Sequence, residues 1–483
     1  MRRKAGPFQT CRAKGTMQTP AQTDPRALRI LPWIVGIAFF MQMLDSTILN
    51  TALPSIAQSL NISPLRTHAV VIAYMLTVAT LIPTSGWLAD RFGTKRVFLW
   101  AIVIFTLGSL ACALSVTLEM LVAARVLQGV GGALLVPVGR LSVLRAFPRD
   151  QLVKVLSFVT IPGLLGPLLG PTLGGVLVHY ASWHWIFLIN IPVGVVGVLL
   201  TLHCMPSFGN TGGGYRFDRI GFLLFSLFMI AVTLSLEGPG EKPLPRSAQA
   251  ALFAFGLACL LGYCLYAMRY ASPIFSPALF KTRNFTVGIL GNLLSRLGGG
   301  AMPFLTPLIL QVGLGYSPVK AGLTMLPLAL GAMVGKSIVN GLINSLGFRW
   351  FLFINTLLVS LMLASYSLIG AATPYPCILL LFLGAGTVNS LQFTGMNTIT
   401  LVDLPDNQAG SGNSLLSAIM QLSMGMGVAL GAAILDVFTP DTSVLEAFHN
   451  TFLILAAISA LSSLIFFQAR NTEGYRDKHS QEA

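Results

Sequence analysis

Apolar runs long enough to cross a bilayer, about 20 residues each, follow one another from Leu31 almost to the end of the chain. Surrounded by lipid, such a run satisfies its own backbone hydrogen bonds only as a helix. The runs begin near Leu31, Ala69, Val97, Leu118, Leu152, Trp185, Phe217, Ala248, Phe285, Val319, Trp350, Tyr375, Ala409 and Phe448. Only 10% of the 483 residues are charged, against about 25% in an ordinary soluble protein. The chain is therefore expected to be an all-α polytopic membrane protein with about fourteen transmembrane helices. The net charge of +14 invites a nucleic-acid reading. That reading fails, because the basic residues sit in short loops between apolar runs and not on one soluble face. The six cysteines form no CxxC pair, so neither a zinc site nor a disulfide framework is expected.

Loop charge sets the orientation. With an even number of spans both tails lie on one side. Placing them inside gathers most of the Lys and Arg there: the tail cluster of Arg2, Arg3, Lys4, Arg12, Lys14, Arg26 and Arg29, then Arg91, Lys95, Arg96, Arg145, Arg149 and Lys154. Arg216, Arg219, Arg269, Lys281, Arg283, Arg349, Arg470, Arg476 and Lys478 fall on the same side. The opposite loops keep Arg66, Lys242, Arg246 and Lys320. Both termini are thus expected in the cytoplasm. The basic tail lacks an apolar core, so it is no cleaved secretory signal. Arg-rich targeting and a true start at Met17 rather than Met1 both remain open.

Within this apolar frame a few polar residues stand out. Asp45, in "FFMQMLDSTILNTALP", is a carboxylate inside the first span, with Gln42 one turn before it and Thr47 and Asn50 after it. An ionisable residue at such a place is expected to face the bundle and to have a partner or a task. Thr47 and Asn50 are expected to continue a polar thread suited to water. In "RVLQGVGGALLVPVGR", Arg125, Gln128, Gly129 and Gly132 share one helix face. Arg125 is either a bundle-facing arginine or one that snorkels near a span end. Arg140, Arg296 and Lys336 are further cations in or beside spans, and with Gln42 they are candidates for binding substrate. Each costs about 3 kcal/mol to insert, so pairing with backbone carbonyls or a slipped span boundary is the plainer alternative.

Three segments have motif-like spacing. In "GWLADRFGTKR", Gly86 is expected to let two helices approach, Asp90 and Arg91 to pair with charges or helix ends, and Gly93 to allow a tight turn; Lys95 and Arg96 follow. In the fifth span Gly166, Gly170, Pro171, Gly174 and Gly175 form a small-residue stripe suited to close backbone packing. The third, "GAMVGKS" at 331 to 337, imitates a phosphate loop. It has three residues between Gly331 and Gly335 where that loop needs four, and no strand precedes it. An ATP-driven pump is therefore excluded, and no nucleophile triad or His-rich metal signature stands against that. No cofactor is expected.

The segment around Gly86, Leu88, Asp90, Arg91, Gly93, Lys95 and Arg96 resembles the signature loop of the major facilitator superfamily, with Thr94 where a basic residue is usual. Arg125, Gln128, Gly129 and Gly132 resemble that family's R-x-x-Q-G-x-G segment. The fifth-span stripe resembles its antiporter motif, although Ser157 stands where a further glycine is common. "LDSTILNTALP" and "SWHWIFLINIPVG" resemble segments of the fourteen-span drug:proton antiporter branch, the latter with His184 in place of arginine. The likeness covers nearly everything after residue 30.

The resemblance implies a basic tail (1–30), an N-terminal six-helix half (31–205), two inserted helices with linkers (206–283), a C-terminal six-helix half (284–468) and a second tail (469–483). It implies alternating access about a midplane site, a gating role for the 86–96 loop, and proton-coupled export of small molecules across a bacterial inner membrane. Asp45 and Arg125 are then the residues expected to carry proton coupling. Its partners would be the lipid bilayer, protons and a small-molecule substrate, with one chain as the transport unit. In the worn second copy of the loop, "NGLINSLGFRW", Asn344 and Ser345 replace Asp90 and Arg91, so any charge lock there is expected to be weak. An anionic metabolite or metal chelate is an alternative cargo. A membrane-embedded enzyme or a sensor is more remote, since no catalytic set and no added soluble domain is visible.

The loop between the seventh and eighth spans should lie outside the cell. A cysteine placed at Gly240 should react with an impermeant thiol reagent in whole cells; reaction only after permeabilisation would invert the topology.

Overall fold

The computed structural model describes residues 25–147, 149–206, 217–236, 245–270 and 273–470. The tail with Met17, most of the 237–246 loop including Gly240 and Lys242, and Arg216, Arg476 and Lys478 lie outside the described residues. A first helix group comprises α1 (Pro25–Ser59), α2 (His68–Leu81), α3 (Ser85–Phe92), α4 (Thr94–Ala113), α5 (Leu118–Ala146), α6 (Arg149–Tyr180), α7 (Trp185–Leu188) and α8 (Asn190–Cys204). Two helices follow, α9 (Arg219–Ser235) and α10 (Arg246–Ala267). The last group comprises α11 (Arg283–Gly299), α12 (Met302–Leu308), α13 (Pro318–Thr324), α14 (Leu326–Ser365), α15 (Tyr375–Val402), α16 (Asp406–Phe438) and α17 (Val444–Phe466).

Every expected span coincides with helix. Among the described residues, eleven helical stretches are long and apolar enough to cross a membrane. One of these, Pro318–Leu368, is two passes. The chain reverses at Gly347, whose φ of 71° lies in the left-handed region that glycine reaches without strain. Gly93, at the matching loop of the first group, has φ 85° for the same reason. The shorter apolar helices Leu168–Tyr180 and Arg219–Ser235 complete a set that accommodates fourteen passes. Several passes are broken in ways that hydropathy does not reveal. A tight turn at Ile82–Thr84, carrying Pro83, divides α2 from α3, and a π-helical turn at Ile309–Gly313 follows α12.

Small residues set the distances between helices. On α6, an added Cβ at Gly166 would lie 2.7 Å from the Leu44 nitrogen, and one at Gly174 would lie 2.7 Å from the Ile48 carbonyl oxygen. Gly166, Gly170 and Gly174 therefore ride directly on the part of α1 that carries Asp45, while Gly175 meets the Pro318 carbonyl of α13. The phosphate-loop imitation has the same explanation. Gly331 and Gly335 lie inside α14, and a Cβ at Gly335 would lie 2.5 Å from the Thr387 carbonyl of α15.

The two groups meet at the end of the bundle that holds Thr51, Thr172 and Gly322. There Gln311 donates to the Thr51 carbonyl (2.9 Å), and the Thr172 hydroxyl donates to the Gly322 carbonyl (3.5 Å). Gly86, at the opposite end, corrects an expectation. It seats no helix in this conformation, because a Cβ there would meet nothing within 4 Å.

Replacing Gly335 by alanine forces two backbones apart and should cost roughly 1–3 kcal/mol, as overpacking does. Gly86→Ala fills open space on a helix and should leave stability unchanged or slightly raised. Thermal melting of the purified proteins separates the two; equal losses would refute this packing account.

Candidate functional site

Asp45 lies on the inner face of α1 and is 1% exposed. Arg125, on the inner face of α5, is also 1% exposed, so it is no snorkelling residue. Its Nη1 donates to Asp45 Oδ2 at 2.7 Å and to Gln128 Oε1 at 2.5 Å, and its Nε donates to the Val70 carbonyl at 3.4 Å. Gln128, one turn further along α5, donates through Nε2 to Asp45 Oδ1 (2.8 Å) and to Ser109 Oγ (2.7 Å). Asn190 is the first residue of α8, and its Nδ2 donates to the same Asp45 Oδ1 at 2.9 Å. The carboxylate thus accepts from three side chains on two other helices. Full hydrogen bonding of this kind is what makes a buried charge tolerable.

The guanidinium is held on its faces as well. Its carbon lies 4.3 Å from the ring centroid of Tyr74 and 6.0 Å from that of Phe187. Tyr74 is on α2, 3% exposed, and its hydroxyl faces Gln42. Gly129 and Gly132 explain themselves here. A Cβ on Gly132 would lie 2.5 Å from the Tyr74 hydroxyl, and one on Gly129 would lie 2.8 Å from Thr77 Cβ. The α5 face is cut to receive α2.

The expected polar thread beyond Asp45 does not form. Thr47 is two residues on and so points to the other side of α1, where its hydroxyl donates to the Met43 and Gly166 carbonyls (2.9 and 3.2 Å). Asn50 donates to the Ser46 carbonyl of its own helix (3.2 Å). Of the expected α1 residues only Gln42 shares the site with Asp45.

The 86–96 loop makes its bonds nearby. Asp90 forms an ion pair with Arg145 at the end of α5. Lys95 donates to the Leu202 carbonyl (2.9 Å), Arg91 lies over the Trp87 ring (5.4 Å), and Arg96 is exposed. In the second loop the Ser345 hydroxyl donates to the Leu342 carbonyl of its own helix (3.1 Å).

The three further cations occupy different surroundings. Arg140 is exposed beside the Phe39 ring (5.6 Å), and Lys336 is exposed on α14. Arg296 donates through Nε to Asn292 Oδ1 (3.2 Å) and lies 5.0 Å over the Phe393 ring. Its Nη2 is buried without a hydrogen-bond partner.

Sequence reasoning missed Ser109, Asn190, Tyr74 and Arg145 as partners. Asn190 stood in plain view in "LINIPVG", a polar amide inside an apolar run. Tyr74 could have been sought by asking what fills the face that Gly129 and Gly132 leave smooth. Nothing local marks Ser109.

With the geometry established, comparisons identify the family. The family model for the Major Facilitator Superfamily matches residues 35–427. The chain belongs to the major facilitator superfamily. It is 51% identical to the "Putative multidrug resistance protein MdtD" of Salmonella heidelberg over 448 residues, covering 91% of this chain and 94% of that protein. It is 49% identical to the protein of that name from Pectobacterium atrosepticum, covering 92% and 96%. Solved transporters share the fold. A D-xylose-proton symporter superposes with TM-score 0.67 at 14% identity, covering 93% of this chain and 99% of that one. The POT family transporter PepTSo superposes with TM-score 0.68 at 14% identity, covering 94% and 99%. This facilitator-family chain is thus a multi-pass membrane transporter.

Burial separates the Asp45–Arg125 and Asp90–Arg145 ion pairs in energy. Arg125→Gln leaves Asp45 without a charge partner in the interior and should cost about 3–5 kcal/mol. Arg145→Gln, at a half-exposed carboxylate, should cost at most about 1 kcal/mol. Melting temperatures of the two variants test this; an equal effect would remove the special standing of the buried pair.

Proposed function

We propose that the protein is a proton-coupled antiporter that exports small molecules across a bacterial inner membrane by alternating access, with Asp45 as the proton carrier. The observation that carries this reading is the bonding of Asp45: a fully buried carboxylate, 2.7 Å from Arg125, accepting from two further amides. An ionised carboxylate only accepts hydrogen bonds, whereas a protonated one must also donate. A single proton on Asp45 therefore removes the charge that faces Arg125 and forces the surrounding donors to rearrange. A bundle with two arrangements can be biased by such an event.

The drug-export part rests on the names of the relatives and on the fifth-span glycine stripe, not on a bound substrate. The cytoplasmic placement of both termini rests on loop charge. The two helix groups serve as the moving halves and α9–α10 as the inserted pair, dividing at about residues 205 and 284. Asp90 and its loop act as the inner gate. Asp90→Asn should then slow transport while leaving equilibrium substrate binding nearly unchanged; a large loss of binding would place Asp90 in the substrate site instead.

A second reading, export of an anionic metabolite or metal chelate, is favoured by one observation. The Arg296 Nη2 is buried without a partner, and an anion would supply one.

Vesicles with an imposed pH gradient test both. Asp45→Asn keeps size but cannot titrate, and like a protonated carboxyl it donates on one side, so it stands in for the neutral state. It should fold, reach the membrane, lose gradient-driven export and keep exchange without a gradient. Undiminished gradient-driven export would dismiss Asp45 as the carrier, and failure of the variant to accumulate would make the pair a structural pin. Selective loss of anion export in Arg296→Gln would favour the second reading.

A further inference from the structure

The ion pair is closed in by neighbours from several helices, and one of these helices also lies at the seam between the two groups. Gln128 and Ser109 come from α5 and α4, Asn190 and Phe187 from α8 and α7, all within the first group. The Tyr74 ring comes from α2. One side of α2 serves the pair: Val70 accepts from Arg125, Tyr74 stacks on it, and Thr77 fills the place left by Gly129. The other side of α2 packs on α16. Met75, adjacent to Tyr74, reaches the position of Gly425, where a Cβ would lie 3.8 Å from Met75 Cβ. Leu76 and Ala79 join the apolar cluster formed with Leu415, Ile419, Leu422 and Met426. Helix α2 is thus a plank with the ion pair on one face and the seam between the two groups on the other.

We propose that Tyr74 is the positioning residue through which movement at the α2–α16 seam is linked to the charge state of Asp45. The inference rests on the reading of Asp45 as the proton carrier. The link is mechanical and short. Tyr74 fits on a glycine-cut face, so it cannot shift relative to α5 without leaving its seat. Arg125 is held between the Asp45 carboxylate and the Tyr74 ring. Neutralising Asp45 leaves the Tyr74 and Phe187 rings and Gln128 as the uncompeted side-chain contacts of the guanidinium, and any resettling of Arg125 toward the nearer ring, Tyr74, presses on α2. In the reverse direction, a displacement of α2 by α16 withdraws the ring and frees Arg125 to leave Asp45. The charged and titratable groups facing Asp45 are Arg125 on α5, Tyr74 on α2 and the Cys112 thiol on α4; Gln128, Asn190 and Ser109 are neutral.

The test needs no substrate. Spin labels at Leu144→Cys and Leu346→Cys, both on exposed positions in different groups, report separation of the two groups in purified full-length protein with other accessible cysteines replaced. The infrared carbonyl stretch of a protonated carboxyl reports Asp45 in the same samples, taken as the band that Asp45→Asn removes from among those of the other carboxyls. The wild type should show both the band and a change in label distance as pH falls. Asp45→Asn should lose both, and a persisting distance change in that variant would overturn the carrier reading itself. Tyr74→Leu should keep the band yet lose the distance change, whereas Tyr74→Phe, which keeps the ring, should retain both. If Tyr74→Leu does not fold, Gly132→Ala displaces the ring from its seat and should give the same uncoupling. A wild-type distance change in the folded Tyr74→Leu, or in Gly132→Ala when it stands in, would overturn the role of Tyr74 and leave that of Asp45 intact.

Discussion

A carboxylate and a guanidinium removed from water within a lipid-facing bundle make the contact on which the rest of this structure depends. Removing one partner of such a pair leaves a buried charge at a cost comparable to a large share of a domain's stability. The surrounding helices answer that cost directly. Gln128 and Asn190 fill acceptor positions on Asp45, and Tyr74 and Phe187 cover the faces of Arg125. The glycines of α5 and α6 let α2 and α1 come close enough for these bonds. Close packing here is a condition for keeping a titratable group dry, and it also makes its charge state matter to neighbouring backbones.

The same packing ties the contact to more than the two helices that carry it. Asp45 is on α1, which is gripped by the α6 stripe, and Arg125 touches α2, which lies along α16. A change at the pair therefore has a short route to surfaces where the two groups meet. Interiors packed this densely respond by switching arrangement and not by yielding smoothly. At the opposite end a Cβ on Gly86 would meet nothing within 4 Å, so that face of α3 is open to a neighbour in another arrangement.

Much of this was legible in the sequence, and the reasons differ by residue. The spans were readable because lipid imposes length and apolarity on every one of them. Asp45 and Arg125 were readable because charge is expensive in that setting and so conspicuous. The partners were less readable. Ser109 and Tyr74 are ordinary in apolar helices, and only the three-dimensional register brings them to the pair. Thr47 misled because it is polar and adjacent, while helical periodicity turns it toward α6. Gly86 misled because the packing of a glycine depends on the conformation adopted. The breaks at Ile82–Thr84 and Ile309–Gly313 were hidden because hydropathy is blind to local backbone geometry.

If Asp45 carries the exchanged proton, as proposed, binding of the exported molecule displaces that proton. The most direct measurement is the pH of a weakly buffered solution of purified protein on addition of a compound that the protein exports. The account predicts proton release by the wild type and none by Asp45→Asn at saturating compound. Equal release by Asp45→Asn would contradict it.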